Sequence, residues 1–184
     1  MRITGGSLKG RALKFPPSGT KEIRPLRTRV RKALFDVLGN DFEGISVLDL
    51  FAGTGALGIE ALSRGAKFCL FVDASPVAIN LIKTNLSRLN LEDKARVWKL
   101  VLPKGLKKVK NTYKNFFDLV FIAPPYETGL SKEVLKRFPS EVLKEDAILV
   151  VEERTGEPLP FPQGFELIDT RTYGETTLYF LKRS

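Results

Sequence analysis

The chain of 184 residues contains no histidine, one cysteine, one methionine and one tryptophan. Without histidine there can be no Ser-His-Asp arrangement, no imidazole general base and none of the commonest zinc ligand. The chemistry expected here therefore needs neither a strong base nor a protein-held metal. A single cysteine, Cys69, excludes an internal disulfide. It lies in the apolar run Phe68-Cys69-Leu70-Phe71-Val72 and reads as a small buried hydrophobe. No apolar run approaches the roughly 18 residues that a bilayer span requires. The opening Met1-Arg2-Ile3-Thr4-Gly5-Gly6 lacks the apolar core of a signal peptide. A cytoplasmic location and no membrane partner are expected.

What is present is ordinary in bulk and uneven in distribution. Apolar residues make up 43% and charged residues 28%, as in a soluble globular protein. The length suits one domain with a sizeable core. Formal net charge is +9, and residues 1–32 hold ten Lys/Arg against one acid, Glu22. The remaining residues sum to zero. A basic arm on a neutral body suits a polyanion, although a solubilising or flexible tail would carry the same charge.

The spacing of Val30, Ala33, Leu34, Val37 and Leu38 predicts a helix over about 28–38, with Thr28 as its N-cap. From residue 45 strands and helices alternate. Strands are expected at Ile45–Phe51, Phe68–Val72, Arg96–Leu102, Phe117–Ile122 and Ala147–Glu152. Helices are expected from Ala56 to Arg64, closed by Gly65, from Ser75-Pro76 to about Leu89, and near Ser131–Arg137. Lys104, Lys107, Lys108 and Lys110 fall in a connection. Gly164–Arg171 and Thr176–Lys182 read as a closing strand pair, after a proline-rich surface loop at 157–162. Buried strands alternating with helices imply an α/β fold with a mostly parallel sheet covered on both faces. The chain reads as a single domain, with an arm and first helix over 1–40 and a core over 41–184.

Asp49-Leu50-Phe51-Ala52-Gly53-Thr54-Gly55-Ala56-Leu57-Gly58 marks the first strand-to-helix turn. Ligands bind beyond the carboxyl ends of such strands, and glycines let backbone approach them closely. Asp73, at the end of the next strand, can accept hydrogen bonds from two ribose hydroxyls. Gly53, Gly55 and Gly58 also satisfy the dinucleotide fingerprint, so a NAD site competes. Asp49 favours the other reading. An acid there suits the amino group of S-adenosylmethionine and suits a pyrophosphate poorly. Phe51, Ala52, Thr54, Leu57 and Ala74 complete the expected cofactor set.

The second candidate site is Ala123-Pro124-Pro125-Tyr126, after the fourth strand. The prolines stiffen the backbone and are expected to leave carbonyls free of local donors. Tyr126 offers a face on which a base can stack. Methylating a conjugated exocyclic amine requires positioning and hydrogen-bond acceptors, which these residues can supply.

These segments together resemble the bacterial 16S rRNA guanine-N2 methyltransferases of the RsmD family. Arg2-Ile3-Thr4-Gly5-Gly6 with Lys9-Gly10-Arg11 is similar to the family's opening. Arg24-Pro25 with Arg29-Val30-Arg31 and Leu34-Phe35 is similar to its second signature, and the stretch from Val47 to Ala66 to its cofactor segment. The resemblance implies a class I methyltransferase, Rossmann-like fold with a seven-stranded, mostly parallel sheet and an antiparallel last strand. It implies S-adenosylmethionine as cofactor and 16S rRNA or the small ribosomal subunit as partner. The arm would hold the RNA through Arg2, Lys9, Arg11, Arg24, Arg27, Arg29 and Arg31. Three residues depart from the pattern. Ala123 stands where such enzymes carry Asp, Asn or Ser, which removes a side-chain acceptor. Val101 occupies the place of an acid or amide beside the cofactor adenine, and Leu26 replaces a hydroxyl-bearing residue.

A monomer without a metal is expected. Two further readings stay open: an amine methyltransferase acting elsewhere, such as on adenine N6 in DNA, and an RNA-binding relative without catalysis, for which Ala123 speaks.

Overall fold

Short apolar runs become strands and the periodic segments between them become helices. The computed structural model describes residues 1–17, 23 and 26–184. Two compact units divide the chain, Met1–Lys99 and Leu100–Ser184.

In the first unit the elements are α1 (Thr28–Leu38), β1 (Ser46–Leu50), α2 (Ala56–Ser63), β2 (Phe68–Asp73), α3 (Pro76–Arg88) and β3 (Ala95–Lys99). β1 pairs with β2 and β2 with β3, both parallel. All five residues of β1 are buried, as a strand covered on both faces requires. Ser75 caps α3 as its sequence predicts: its hydroxyl accepts the Ala78 N–H at 3.3 Å, and Pro76 opens the helix. Thr28 does not cap α1. The helix begins at Thr28 itself, and Arg27 occupies the cap position without a side-chain bond.

The first residues of the arm are folded. Ile3 N–H bonds to the Arg11 carbonyl at 3.0 Å and Leu13 N–H to that of Met1 at 2.9 Å, forming a small hairpin. Its apolar side chains, Ile3 and Leu13, are buried. Gly6 sits at φ +78, where an added Cβ would lie 1.9 Å from the Ser63 carbonyl oxygen. Only glycine allows the hairpin to lie this close to α2.

In the second unit the elements are α4 (Leu106–Thr112), β4 (Phe117–Ile122), α5 (Leu130–Arg137), β5 (Leu143–Arg154), β6 (Phe165–Tyr173) and β7 (Thr176–Arg183). β4 and β5 are parallel, and β7 runs antiparallel to both β5 and β6. β5 has 12 residues and extends beyond its apolar centre because β4 and β7 supply ladder partners on its two sides. α4 lies in the segment expected to be a lysine-rich connection. Leu106 and Val109 turn inward and are buried, while Lys107, Lys108 and Lys110 remain exposed.

The strand order is β3-β2-β1 in the first unit and β4-β5-β7-β6 in the second, seven strands in all, parallel except where β7 runs antiparallel to its neighbours. Among the described residues no helix is long and apolar enough to cross a membrane.

Candidate functional site

The turn after β1 is built from unusual backbone. Phe51 has φ +58, Gly53 +59 and Gly55 +81. A left-handed phenylalanine is rare, and such residues persist where the surroundings hold them, commonly at ligand sites. Ala52 N–H bonds to the Val72 carbonyl at 3.0 Å and Gly55 N–H to that of Ala52 at 2.8 Å. Gly55 then caps α2 in the left-handed conformation. Gly58 has a different reason to be glycine. A Cβ there would meet Phe71 at 2.3 Å and the Cys69 sulfur at 2.6 Å, so its absence lets α2 rest on β2.

Two carboxylates frame this turn. Asp73 Oδ2 accepts the Gly53 N–H and Oδ1 accepts the Ser75 N–H, both at 2.9 Å. Asp49 is 1% exposed; its Oδ2 accepts the Gly58 N–H at 3.0 Å, and its buried Oδ1 has no hydrogen-bond partner. Burial pushes the Asp49 carboxyl up to about 7, opposed by the Gly58 N–H and reinforced by the negative charge of Asp73. An unsatisfied buried acceptor is costly, and this one suits a cationic donor such as a ligand ammonium group. These carboxylate acceptors fit the ammonium group of S-adenosylmethionine. Of the other expected cofactor residues, Thr54 and Leu57 are buried, Phe51, Ala52 and Gly53 half-buried, and Ala74 exposed. Val101 is 69% exposed, just beyond the shortened third strand.

The arm's cations divide into two kinds. Arg2, Lys9, Arg11, Arg27 and Arg29 are exposed. Arg31, expected among them, is 0% exposed. Its guanidinium donates to the Arg2 carbonyl and lies 3.6 Å from Glu60. This is a correction: the i, i+3, i+4 stripe of α1 turns Arg31 to the inside with Val30, Leu34 and Phe35. Arg24 lies outside the described residues.

Sequence reasoning missed the residues that pin the arm. Glu60 accepts the Thr4 N–H at 2.9 Å, the Thr4 hydroxyl and the Gly5 N–H. Ser63 Oγ donates to the Gly5 carbonyl at 2.6 Å and accepts the Leu8 N–H at 3.0 Å. Asn85 bonds to the backbone of both Lys14 and Thr54. One signal was available for Glu60, an acid inside the otherwise apolar run Ala56–Leu62.

In the second unit Ala123 is half-buried, Pro124 buried, Pro125 exposed and Tyr126 half-buried. The Tyr126 hydroxyl donates to Glu152 at 2.7 Å and lies 2.6 Å from the Thr176 hydroxyl. Those bonds fix the ring's far end to β5 and β7. The loop's carbonyls are not all free of local donors, since the Thr128 hydroxyl bonds to that of Pro125 at 2.8 Å. The threonine three residues on turns its side chain back over the loop. Among the described residues no group of three or more His, Cys, Asp or Glu could hold a metal.

Parallel strands with a glycine turn at the end of β1, closed by an antiparallel strand, define the methyltransferase-type α/β class. A solved Escherichia coli structure, yhhF, provisionally titled a methyltransferase, matches with a TM-score of 0.84 at 28% identity, covering 100% of this chain and 97% of that one. The family described as "Conserved hypothetical protein 95" matches residues 1–182. The chain belongs to that family, which is the RsmD family of the resemblance above. YlbH of Bacillus subtilis, provisionally named an rRNA methyltransferase, is 38% identical over 100% of this chain and 99% of its own length. The ribosomal RNA small subunit methyltransferase D of Haemophilus influenzae is 33% identical over 95% of this chain and 89% of its own length.

Proposed function

We propose that the chain transfers a methyl group from S-adenosylmethionine to the exocyclic N2 of a guanine in 16S rRNA, presented as RNA or as the small ribosomal subunit. The observation that carries this reading is Asp49, a buried carboxylate with an unsatisfied oxygen beside a left-handed glycine turn. A NAD pyrophosphate beside that acid would be repelled. The names of the relatives support rRNA as the substrate class.

S-adenosylmethionine supplies an electrophilic methyl group on a sulfonium. Asp49 would hold its ammonium group and Asp73 its ribose hydroxyls. Phe51, Ala52, Gly53, Thr54, Gly55, Leu57, Gly58, Ala74 and Val101 would line it. Tyr126 would stack the target base, with its hydroxyl tethered so that the ring keeps one orientation. The carbonyls of Ala123 and Pro124 would accept the amine's hydrogens as the nitrogen lone pair forms its bond to carbon and the carbon–sulfur bond breaks. The displaced proton passes to water, so no histidine is required. Arg2, Lys9, Arg11, Arg24, Arg27 and Arg29 would bind phosphates.

Single-turnover transfer of labelled methyl to small-subunit RNA, followed by nucleoside mass spectrometry, tests the reading. N2-methylguanosine is expected, and N6-methyladenosine would overturn it. RNA and cofactor binding with no transfer would support the non-catalytic reading that Ala123 favours.

A further inference from the structure

In the second unit a cleft of about 480 Å³ is lined by Lys132, Glu133 and Lys136 of α5 and by Phe161 and Gln163 of the loop after β5. Phe161 is 40% exposed, and its ring meets Tyr179 edge-on, with centroids 5.9 Å apart at 60°. Pro160 and Pro162 restrict the backbone on either side of it, and the Pro162 carbonyl accepts the Phe165 N–H at 3.3 Å. The aromatic face is thus held in place before anything binds, which lowers the ordering cost of binding. Glu133 lies 4.0 Å from Arg137, which offsets the one acid of the cleft.

We infer that this cleft is a subsite for an unpaired nucleotide of the RNA substrate, away from the nucleotide that is methylated. The base stacks on Phe161, Lys132 and Lys136 hold the flanking phosphates, and the Gln163 amide offers both a donor and an acceptor to a base edge or a 2′-hydroxyl. Cations beside an exposed ring are the composition with which proteins bind single strands. An acidic peptide would use the lysines and leave the ring and amide without a role. The inference rests on the RNA substrate proposed above.

The test measures binding of the full chain to a single-stranded oligonucleotide and to a duplex of the same sequence. Phe161→Ala is expected to weaken the single strand about tenfold, with duplex and S-adenosylhomocysteine affinities unchanged. Phe161→Trp should retain affinity, and its fluorescence should be quenched by the single strand. Replacing Lys132 and Lys136 with alanine should lower the salt slope by about 0.7 for each phosphate no longer neutralised. Wild-type RNA binding that all these variants preserve, or competition by an acidic peptide alone, overturns the subsite and leaves the proposed activity standing. A wild-type chain that binds no RNA overturns both. Unchanged S-adenosylhomocysteine binding confirms that each variant is folded.

Discussion

The side-chain amide of Asn85 bonds to both backbone groups of Lys14, accepting its N–H at 2.7 Å and donating to its carbonyl at 3.3 Å. The same nitrogen donates to the Thr54 carbonyl at 3.1 Å. One buried amide therefore joins the arm to the glycine turn. Asn85→Leu keeps the branched shape of the side chain and removes all three bonds. Urea denaturation should show a loss of about 1–3 kcal/mol, with faster amide exchange over residues 1–17. Unchanged exchange there would mean that the Asn85 bonds do not hold the hairpin.

The buried carboxyl of Asp49 makes folding depend on pH. Below about pH 4 it is protonated in both the folded and unfolded chain. Between its ordinary value of 3.8 and about 7 only the folded chain keeps the proton, so stability falls as pH rises through that window. The full loss, on the order of 4 kcal/mol, is reached above pH 7. Asp49→Asn should therefore gain on the wild type from pH 4 to 7 and hold a constant advantage above. The variant should also lose affinity for S-adenosylhomocysteine. Parallel pH curves for the two chains would remove Asp49 as the source.

The basic residues of the arm and α1 should separate by burial. Replacing Lys9, Arg11, Arg27 and Arg29 together should lower the salt slope of RNA binding by about 0.7–0.9 for each phosphate left without its cation, with little change in unfolding. Arg31→Ala should instead cost stability, up to about 3–5 kcal/mol, because it removes the buried cation 3.6 Å from Glu60 and leaves Arg64, at 3.9 Å, as the remaining cation beside that carboxylate. An Arg31 variant as stable as the wild type would contradict the burial of this side chain.

How far the sequence could be read depended on the range of the interactions involved. β1, β2 and β4 follow from local apolar runs, and the start of α3 follows from Ser75-Pro76. The glycine turn was legible because Gly53 and Gly55 carry backbone that other residues rarely adopt. The clamp from Glu60 to Thr4 was not, since it joins residues 56 positions apart. Arg31 was misread because net charge counts a buried cation like an exposed one. α4 was hidden by its lysines, which mask the short stripe of Leu106 and Val109.

Ala123→Asp supplies the side-chain acceptor that the family resemblance implies at this position, one of the three places where the chain departs from that pattern. Single-turnover methyl transfer should rise, by as much as about 10²-fold if one oriented acceptor is worth what one oxyanion donor is worth. Cofactor affinity should stay level. A slower Asp variant would show that the loop positions the amine through its carbonyls in another geometry.

Gly58 also determines what becomes of the chain's only thiol. With α2 laid directly on β2, Cys69 is buried, and burial raises its pKa well above the ordinary value, so little nucleophilic thiolate forms. The native surface is therefore blank to maleimides. A cysteine placed at Lys9 or Phe161 would take a dye or spin label alone, with no wild-type residue to delete first. Labelling of Cys69 itself would then serve as a clock, advancing only when the helix behind the glycine turn lifts from its strand.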